Sequence, residues 1–209
     1  MIAEVLDKVI AFAARDEAQL VRGREEWAEL AGRVFDDDPL YEERTAAFLE
    51  WFSLDRKLAD GRVPAERFLA EERLDDLVGR WVDALCASHR GLFTVLSMKP
   101  GLLVLEDLLG GAQFQVTERR KLPGVAEGEI FEARLTANIV SPPELLFTRV
   151  FLFHPREAAA EVKRIAERAK KKGEPRAEVL FRLLRLRLKA LRYGHVAAAK
   201  IYAGDDAAP

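Results

Sequence analysis

Apolar residues recur at helical spacing in several stretches of the first 91 residues. A period of 3.6 residues places such positions on one face of a helix. The first stripe consists of Val5, Leu6, Val9, Ile10 and Ala13, and the clearest one consists of Leu74, Leu77, Val78, Trp81, Val82 and Leu85. Asp38 followed by Pro39 is typical of an N-cap and a first helical residue, which predicts a further helix over residues 40–53. The segment 1–91 is therefore predicted to be helical.

Beyond Gly91 the pattern changes to short apolar runs separated by turn residues. The runs cover residues 92–98, 102–109, 112–118, 130–135 and 145–153. In the fourth run, apolar Phe131, Ala133 and Leu135 alternate with charged Glu132 and Arg134. Such alternation is typical of a strand with one buried face. Five short strands within residues 92–154 predict a small antiparallel barrel of SH3-like or OB-like type.

Helical spacing returns after His154. One helix is predicted up to Gly173, a typical stop residue, and Pro175 begins a second helix that is broadly apolar up to Tyr193. The last residues are predicted to be frayed. The sequence thus predicts an α+β fold with four segments: a helical subdomain (1–91), a five-stranded antiparallel barrel (92–154), a C-terminal helical hairpin (155–203) and a frayed tail (204–209).

Charge is distributed unevenly over these segments. The balance of Lys and Arg over Asp and Glu is −8 for residues 1–91, −1 for 92–154 and +7 for 155–209, in a chain of 209 residues with net charge −2. The near-neutral chain has no overall attraction to nucleic acid or membranes, so such attraction depends on the basic C-terminal segment. The acidic and basic segments can bind each other, within one chain or between two copies, or each can face a different partner.

The cysteine content and the N-terminus narrow the protein class. A single cysteine, Cys86, excludes an intrachain disulfide and a cysteine-based zinc site. The first residues lack a signal-peptide layout, and no apolar run reaches the length of a membrane span. These features predict a cytoplasmic protein without a membrane partner or a cofactor.

Basic residues near the C-terminus form the candidate nucleic-acid site. Spacings of three, four and three residues place four of them on one helix face, and we call these four the basic stripe. The basic stripe is Arg182, Arg185, Lys189 and Arg192, and nearby lie Lys170, Lys171, Lys172 and Arg176. Contacts of such residues with phosphates add salt-dependent affinity. The same pattern is also typical of a solvated helix face, and lysines at a helix C-terminus suit the macrodipole.

Other polar residues have simpler structural interpretations. Asp55 and Asp60 would serve acid–base chemistry only in a dry cleft, and residues 36–38 lack the layout of a calcium loop. Cys86 and His89 are three residues apart, but no residue can be named to orient the imidazole. No phosphate-binding loop, dinucleotide fingerprint, zinc-protease motif or nucleophile elbow is present in the sequence. The loops at residues 106–107 and 118–121 are better candidates for a binding edge.

Two stretches of the chain resemble a family of uncharacterised bacterial proteins. Residues 48–56 (FLEWFSLDR) and 60–69 (DGRVPAERFL) are similar to an aromatic helix that precedes a turn and another helix in that family. Residues 105–111 (LEDLLGG) and 114–118 (FQVTE) resemble the hairpin that follows there. Some members carry a Cys-rich SEC-C zinc motif, which this chain lacks. The resemblance covers roughly residues 45–135 and implies a helical region followed by a small barrel.

The sequence favours a non-enzymatic module that binds a protein partner or a second copy of itself. Recognition would involve the edge of the barrel or grooves between helices. Nucleic-acid binding through the basic C-terminal helices is the alternative hypothesis. A hydrolase with an acidic site near Asp55 and Asp60 is a third hypothesis with less support.

Overall fold

The computed structural model describes residues 1–120, 122 and 124–207. Within these residues the chain forms eight α-helices and five β-strands, so it belongs to the α+β class that the sequence predicts. The helices are α1 (Ile2–Ala13), α2 (Glu17–Ala31), α3 (Tyr41–Leu54), α4 (Pro64–Glu71), α5 (Asp76–Cys86), α6 (Ala159–Lys172), α7 (Arg176–Arg192) and α8 (Ala198–Ala203). The strands are β1 (His89–Lys99), β2 (Leu102–Asp107), β3 (Gln113–Thr117), β4 (Ile130–Ala137) and β5 (Leu145–Phe153).

Local sequence signals account for the ends of several helices. Asp75 is the N-cap of α5, where its side chain accepts a hydrogen bond from a backbone N–H of the first turn at 2.8 Å. α6 ends at Lys172, and its C-cap Gly173 adopts a left-handed conformation with φ 64°. The predicted cap at Asp38 is wrong in position. α3 begins at Tyr41, and Asp38 Oδ2 accepts a hydrogen bond from the Phe35 N–H at 2.7 Å within the preceding turn.

The five strands form one mixed sheet in the order β1-β2-β3-β5-β4. β2 is antiparallel to both β1 and β3, with Leu103 opposite Val116. On its other edge, β1 bonds to the residues that lead into β4, since the Val95 N–H donates to the Glu129 carbonyl at 3.1 Å. The prediction of a purely antiparallel arrangement is wrong. In this order β1 and β4 are the end members, and β1 also bonds to the residues that lead into β4. With five strands connected in this way, the direction cannot alternate at every step, so a purely antiparallel arrangement is not possible.

The chain folds into two compact units, each built from separate stretches of sequence. Unit 1 comprises residues 1–29, 34–89 and 134–150, and unit 2 comprises the described residues within 30–33, 90–133 and 151–209. Each unit combines stretches from more than one of the segments 1–91, 92–154 and 155–209, and those segment boundaries stay a prediction. β4 and β5 each contribute residues to both units.

The core of unit 1 is formed mainly by α1, α4 and α5. Val9 of α1, Phe68 of α4 and Leu85 of α5 are fully or almost fully buried in one apolar cluster. A second group of aromatic rings joins α2 to α3, with the ring centroids of Trp27 and Trp51 5.3 Å apart. Burial of such apolar surface contributes roughly 25 cal/mol per Å², which makes it the main stabilising term of the unit.

The core of unit 2 collects the apolar faces of α6, α7 and α8. Ile165, Leu183 and Tyr202 are fully buried there together with Leu92 of β1. α7 is therefore docked within its own unit, as its broadly apolar pattern predicts.

Beyond α8 the chain enters the segment that the sequence predicts to be frayed, residues 204–209. Residues 204–207 form a 3-10 turn, and Asp205 pairs with Arg168 of α6. Ala208 and Pro209 lie outside the described residues. No helix within the described part of the chain has the length and apolar character needed to cross a membrane.

Candidate binding cavity

Unit 2 contains a cavity of about 460 Å³ beside the turn between β1 and β2. Its walls are mainly apolar and come from the end of β1, the start of β2 and the loop after β3. The lining residues are Met98, Lys99, Pro100, Gly101, Leu103, Glu118, Arg120, Leu122 and Val125. The volume falls within the range of about 300 to 1,000 Å³ that is typical of ligand pockets. The cavity is therefore large enough for a bulky side chain and its neighbours.

The turn that forms one wall follows from the predicted Lys99-Pro100-Gly101 signal. Leu103 is buried beneath the cavity, whereas the Met98 side chain is 42% exposed at its edge. Two hydrogen bonds that involve the backbone hold the turn between β1 and β2 in place. The Glu118 N–H donates to the Gly101 carbonyl at 3.1 Å, and Glu127 Oε1 accepts a hydrogen bond from the Met98 N–H at 3.1 Å.

The polar part of the cavity is an ion pair and one lysine. Arg120 Nη2 lies 2.7 Å from Glu118 Oε2, and Arg120 Nε donates to Glu118 Oε1 at 2.9 Å. Burial opposes ionisation of Glu118, but the side-chain and backbone hydrogen bonds from Arg120 outweigh it and lower the pKa of this carboxyl. Lys99 forms no ion pair with any described residue, so the positive charge of the lining is not fully balanced.

Two of the predicted nucleic-acid residues pair with acids inside unit 2. Arg176 Nη1 lies 2.8 Å from Oδ2 of the buried Asp107. Arg182 Nη2 lies 2.8 Å from Glu174 Oε2, and its Nε lies 3.5 Å from Asp205 Oδ2. These guanidinium groups stabilise contacts between elements of the unit. Their charge is compensated within the fold.

Two further members of the basic stripe bind backbone carbonyls. Arg185 donates to the Leu30 carbonyl, and Arg192 Nη2 donates to the Arg33 carbonyl at 2.6 Å. These carbonyls lie at and just beyond the end of α2, where helical carbonyls lack an intrahelical partner. Both arginines therefore anchor residues 30–33 to α7.

The four candidate lysines are exposed. Lys170, Lys171 and Lys172 occupy the last turn of α6, and Lys189 lies on α7. Cations in a last helical turn are favoured by the helix dipole. Phosphate binding by these lysines remains a prediction.

Asp55 and Asp60, the carboxylates of the hydrolase hypothesis, bind different arginines. Asp55 pairs with Arg134, whereas Asp60 Oδ2 accepts hydrogen bonds from Arg62 Nε and Arg67 Nε, both at 3.0 Å. Among the described residues, no group of three or more acidic, His or Cys side chains is arranged to hold a metal ion.

Cys86 and His89, which the sequence does not favour as a nucleophile and base, have structural positions. Cys86 is the last residue of α5, and His89 is the first residue of β1. Burial, with smaller effects from Glu66 and Asp83, raises the pKa of the Cys86 thiol to about 11. The thiol is therefore protonated at neutral pH, which disfavours a nucleophilic role.

A buried polar network in unit 1 was missed by the sequence pattern. Arg134 is only 3% exposed, and it contacts Asp55 and Ser88, the latter through Nη1 at 3.0 Å. Its Nε lies 3.6 Å from Glu50 Oε2, which also accepts a hydrogen bond from Thr148 Oγ1 at 3.0 Å. Burial raises the pKa of Glu50, and the charge of Arg134 opposes that shift. The alternation in β4 sets Arg134 on the face opposite Ala133 and Leu135, but it does not show that this face is also buried.

Unit 2 has its own buried titratable group. His154 is 4% exposed, and its Nδ1 lies 2.8 Å from the Tyr202 hydroxyl oxygen. Burial, assisted by the charge of Arg187, lowers the pKa of His154 to about 3. The imidazole is therefore neutral at physiological pH, as a structural residue at a helix entry would be.

Comparison with family models, curated proteins and solved structures finds no match for this chain. The resemblance to the bacterial family therefore stays a prediction.

Proposed function

We propose that the chain is a non-enzymatic binding module that holds a peptide segment of a partner protein in the cavity of unit 2. The observation that carries the proposal is the apolar cavity of about 460 Å³ with the exposed Met98 at its edge. Solvent-exposed apolar surface around a concavity is typical of interaction sites, because its burial on binding is favourable. The apolar walls fit a bulky aliphatic or aromatic anchor residue.

The charged residues that line the cavity indicate which residues the bound peptide should contain. Glu118 and Arg120 compensate each other, which leaves the Lys99 ammonium as the uncompensated group. A carboxylate next to the anchor residue would pair with Lys99, and complementary charge mainly adds specificity and association rate. We therefore expect a motif in which a bulky apolar residue neighbours Asp or Glu.

The strand order supports an OB-like barrel as the scaffold of this module. In the order β1-β2-β3-β5-β4, β1 also bonds toward β4 through Val95, so a closed arrangement with one parallel pair is consistent with the mixed sheet. Small barrels of this kind bind ligands through their loops and an exposed face. The cavity lies at such a loop.

Selection from a displayed library of random peptides tests the proposal. Enriched peptides should share an apolar anchor beside an acidic residue, and Met98→Glu should weaken their binding at least tenfold. Leu96→Glu is the matched control, because Leu96 is 41% exposed on the same strand but does not line the cavity. Failure to enrich any motif, or equal effects of the two variants, would contradict the proposal.

Nucleic-acid binding remains the alternative, and the exposure of Lys170, Lys171, Lys172 and Lys189 is what favours it. Charge reversal of Arg182 or Arg185 is a poor test, because these residues hold the fold together. A quadruple Lys→Gln variant avoids that problem. Submicromolar binding to duplex or single-stranded DNA that weakens with salt and is lost in this variant would establish the alternative.

A further inference from the structure

Unit 1 contains a second, smaller cavity of about 230 Å³. It lies where the end of α1, the start of α2, α3 and α4 meet. Its apolar lining includes Phe12, Phe52, Leu58 and Pro64. Pockets for drug-sized ligands have volumes of about 300 to 1,000 Å³, so this cavity suits a smaller organic molecule.

Two arginines at the rim already have acidic partners that do not line the cavity. Arg15 Nη1 lies 2.6 Å from Glu72 Oε1, and Arg67 Nη2 lies 3.0 Å from Asp60 Oδ2. The Arg15 guanidinium also lies over the Phe12 ring, 5.2 Å from its centroid. Because Arg62 also pairs with Asp60, the three arginines Arg15, Arg62 and Arg67 face two acids, and one positive charge is left over.

Two acids at the same rim are not compensated in this way. Asp16 Oδ1 accepts a hydrogen bond from the Gln19 N–H at 3.0 Å, as an N-cap does, but Asp16 forms no ion pair with the described residues. The side chain of Glu71, the last residue of α4, forms neither a hydrogen bond nor an ion pair with any residue in the described part of the chain. Asp16 and Glu71 outnumber the one positive charge left over among the arginines, so the net charge at this rim is negative.

We propose that the unit 1 cavity binds a small amphipathic cation, such as a primary amine with a hydrophobic body. The body would pack between Phe52, Leu58 and Pro64, where its apolar surface is removed from water. The ammonium group would donate hydrogen bonds to the carboxylates of Glu71 and Asp16. Charge-assisted hydrogen bonds of this kind are roughly twice as strong as neutral ones. The proposal does not depend on peptide binding in unit 2.

Calorimetric titration of the full chain with phenethylamine, compared with 3-phenylpropanoate, tests the proposal. The two probes share an aromatic body of similar size and carry opposite charges. We expect phenethylamine to bind at least tenfold more tightly than the carboxylate. Equal affinities, tighter binding of the carboxylate, or no saturation by the amine up to roughly 10 mM would overturn the proposal.

A matched pair of variants ties the binding to this cavity. Glu71→Gln removes the uncompensated carboxylate without changing its size, and we expect at least a threefold loss of phenethylamine affinity. Glu25→Gln removes the charge of an exposed residue of α2 that does not line the cavity, and affinity should not change. An equal loss in both variants would mean that only the general surface charge attracts the amine, which would also overturn the proposal.

Discussion

The two units bury ionisable side chains in different ways. Unit 1 encloses a charged group, Arg134, between Asp55 and Glu50. Unit 2 encloses a neutral imidazole, His154, against the Tyr202 hydroxyl. In the first case opposite charges compensate the loss of hydration, and in the second case the pKa shift removes the charge.

The difference predicts opposite responses of the two units to acid. The pKa of Glu50 is raised in the folded state, so its contribution to stability grows as the pH falls. The pKa of His154 is lowered, so its contribution is fully present above the unfolded value of 6.5 and is lost as the pH falls toward about 3. Burial is the largest cause of both pKa shifts, because it disfavours the charged form of each side chain. The charged form of Glu50 has lost a proton, so its pKa rises. The charged form of His154 has gained a proton, so its pKa falls.

The largest effect is expected from removing the charge of Arg134. Arg134→Leu leaves the buried Glu50 without its cation and should lower the free energy of unfolding at pH 7 by about 3–5 kcal/mol. Chemical denaturation measures this change. A double variant with Glu50→Leu should recover much of the loss, and Arg24→Leu at an exposed position is the control. A cost of Arg134→Leu no greater than that of the control would show that the network does not stabilise unit 1.

The second effect concerns pH. Between pH 7.5 and 4.5, protonation of His154 in the unfolded chain alone should lower the free energy of unfolding by about 2–3 kcal/mol. His154→Gln should remove that part of the pH dependence, because glutamine does not titrate. His195→Gln replaces an exposed histidine and should keep the full dependence. Identical pH profiles for the two variants would mean that His154 does not stay neutral in the folded protein.

The third effect separates backbone strain from packing. Gly32 in unit 2 has φ 88°, and Gly61 in unit 1 has φ 81°. Gly61→Ala should cost about 1 kcal/mol, because alanine is strained at positive φ and nothing surrounds the added methyl group. Gly32→Ala should cost about 2 kcal/mol, since its Cβ would also lie 3.0 Å from Leu188 Cδ2. Equal shifts in thermal unfolding would show that residues 30–33 are loosely packed.

The smallest effect compares two members of the basic stripe. Arg182→Gln should lower the free energy of unfolding by about 1 kcal/mol, because it breaks contacts with Glu174 and Asp205. Lys189→Gln should change it by less than about 0.5 kcal/mol. Denaturant unfolding of both variants checks the difference. A larger cost for Lys189→Gln would contradict its description as a solvated residue.

Much of the secondary structure could be predicted from local pattern. The strand runs and the stop at Gly173 depend on residues that are adjacent in sequence, and the structure confirms them. The environment of Arg134 could not be predicted, because its partner Asp55 lies 79 residues away. Alternation shows which residues share a face of a strand, but it does not show whether another element covers the polar face.

The cavity of unit 2 was predicted only in part. The loop at residues 118–121 was expected to form a binding edge, and Glu118 and Arg120 do line the cavity. The contribution of Met98 carries no local signal, because an apolar residue at a strand end looks the same whether it is covered or exposed. The anchoring role of Arg185 was also hidden, since its acceptor is a carbonyl 155 residues away.

The aromatic packing of unit 1 has a consequence for spectroscopy. All three tryptophans, Trp27, Trp51 and Trp81, belong to unit 1, and each is at least 93% buried. Tryptophan emission therefore reports on the unfolding of unit 1 alone, whereas circular dichroism reports on the helices of both units. Coincident unfolding curves from the two signals would indicate one cooperative transition, and separated curves would indicate that the units unfold independently.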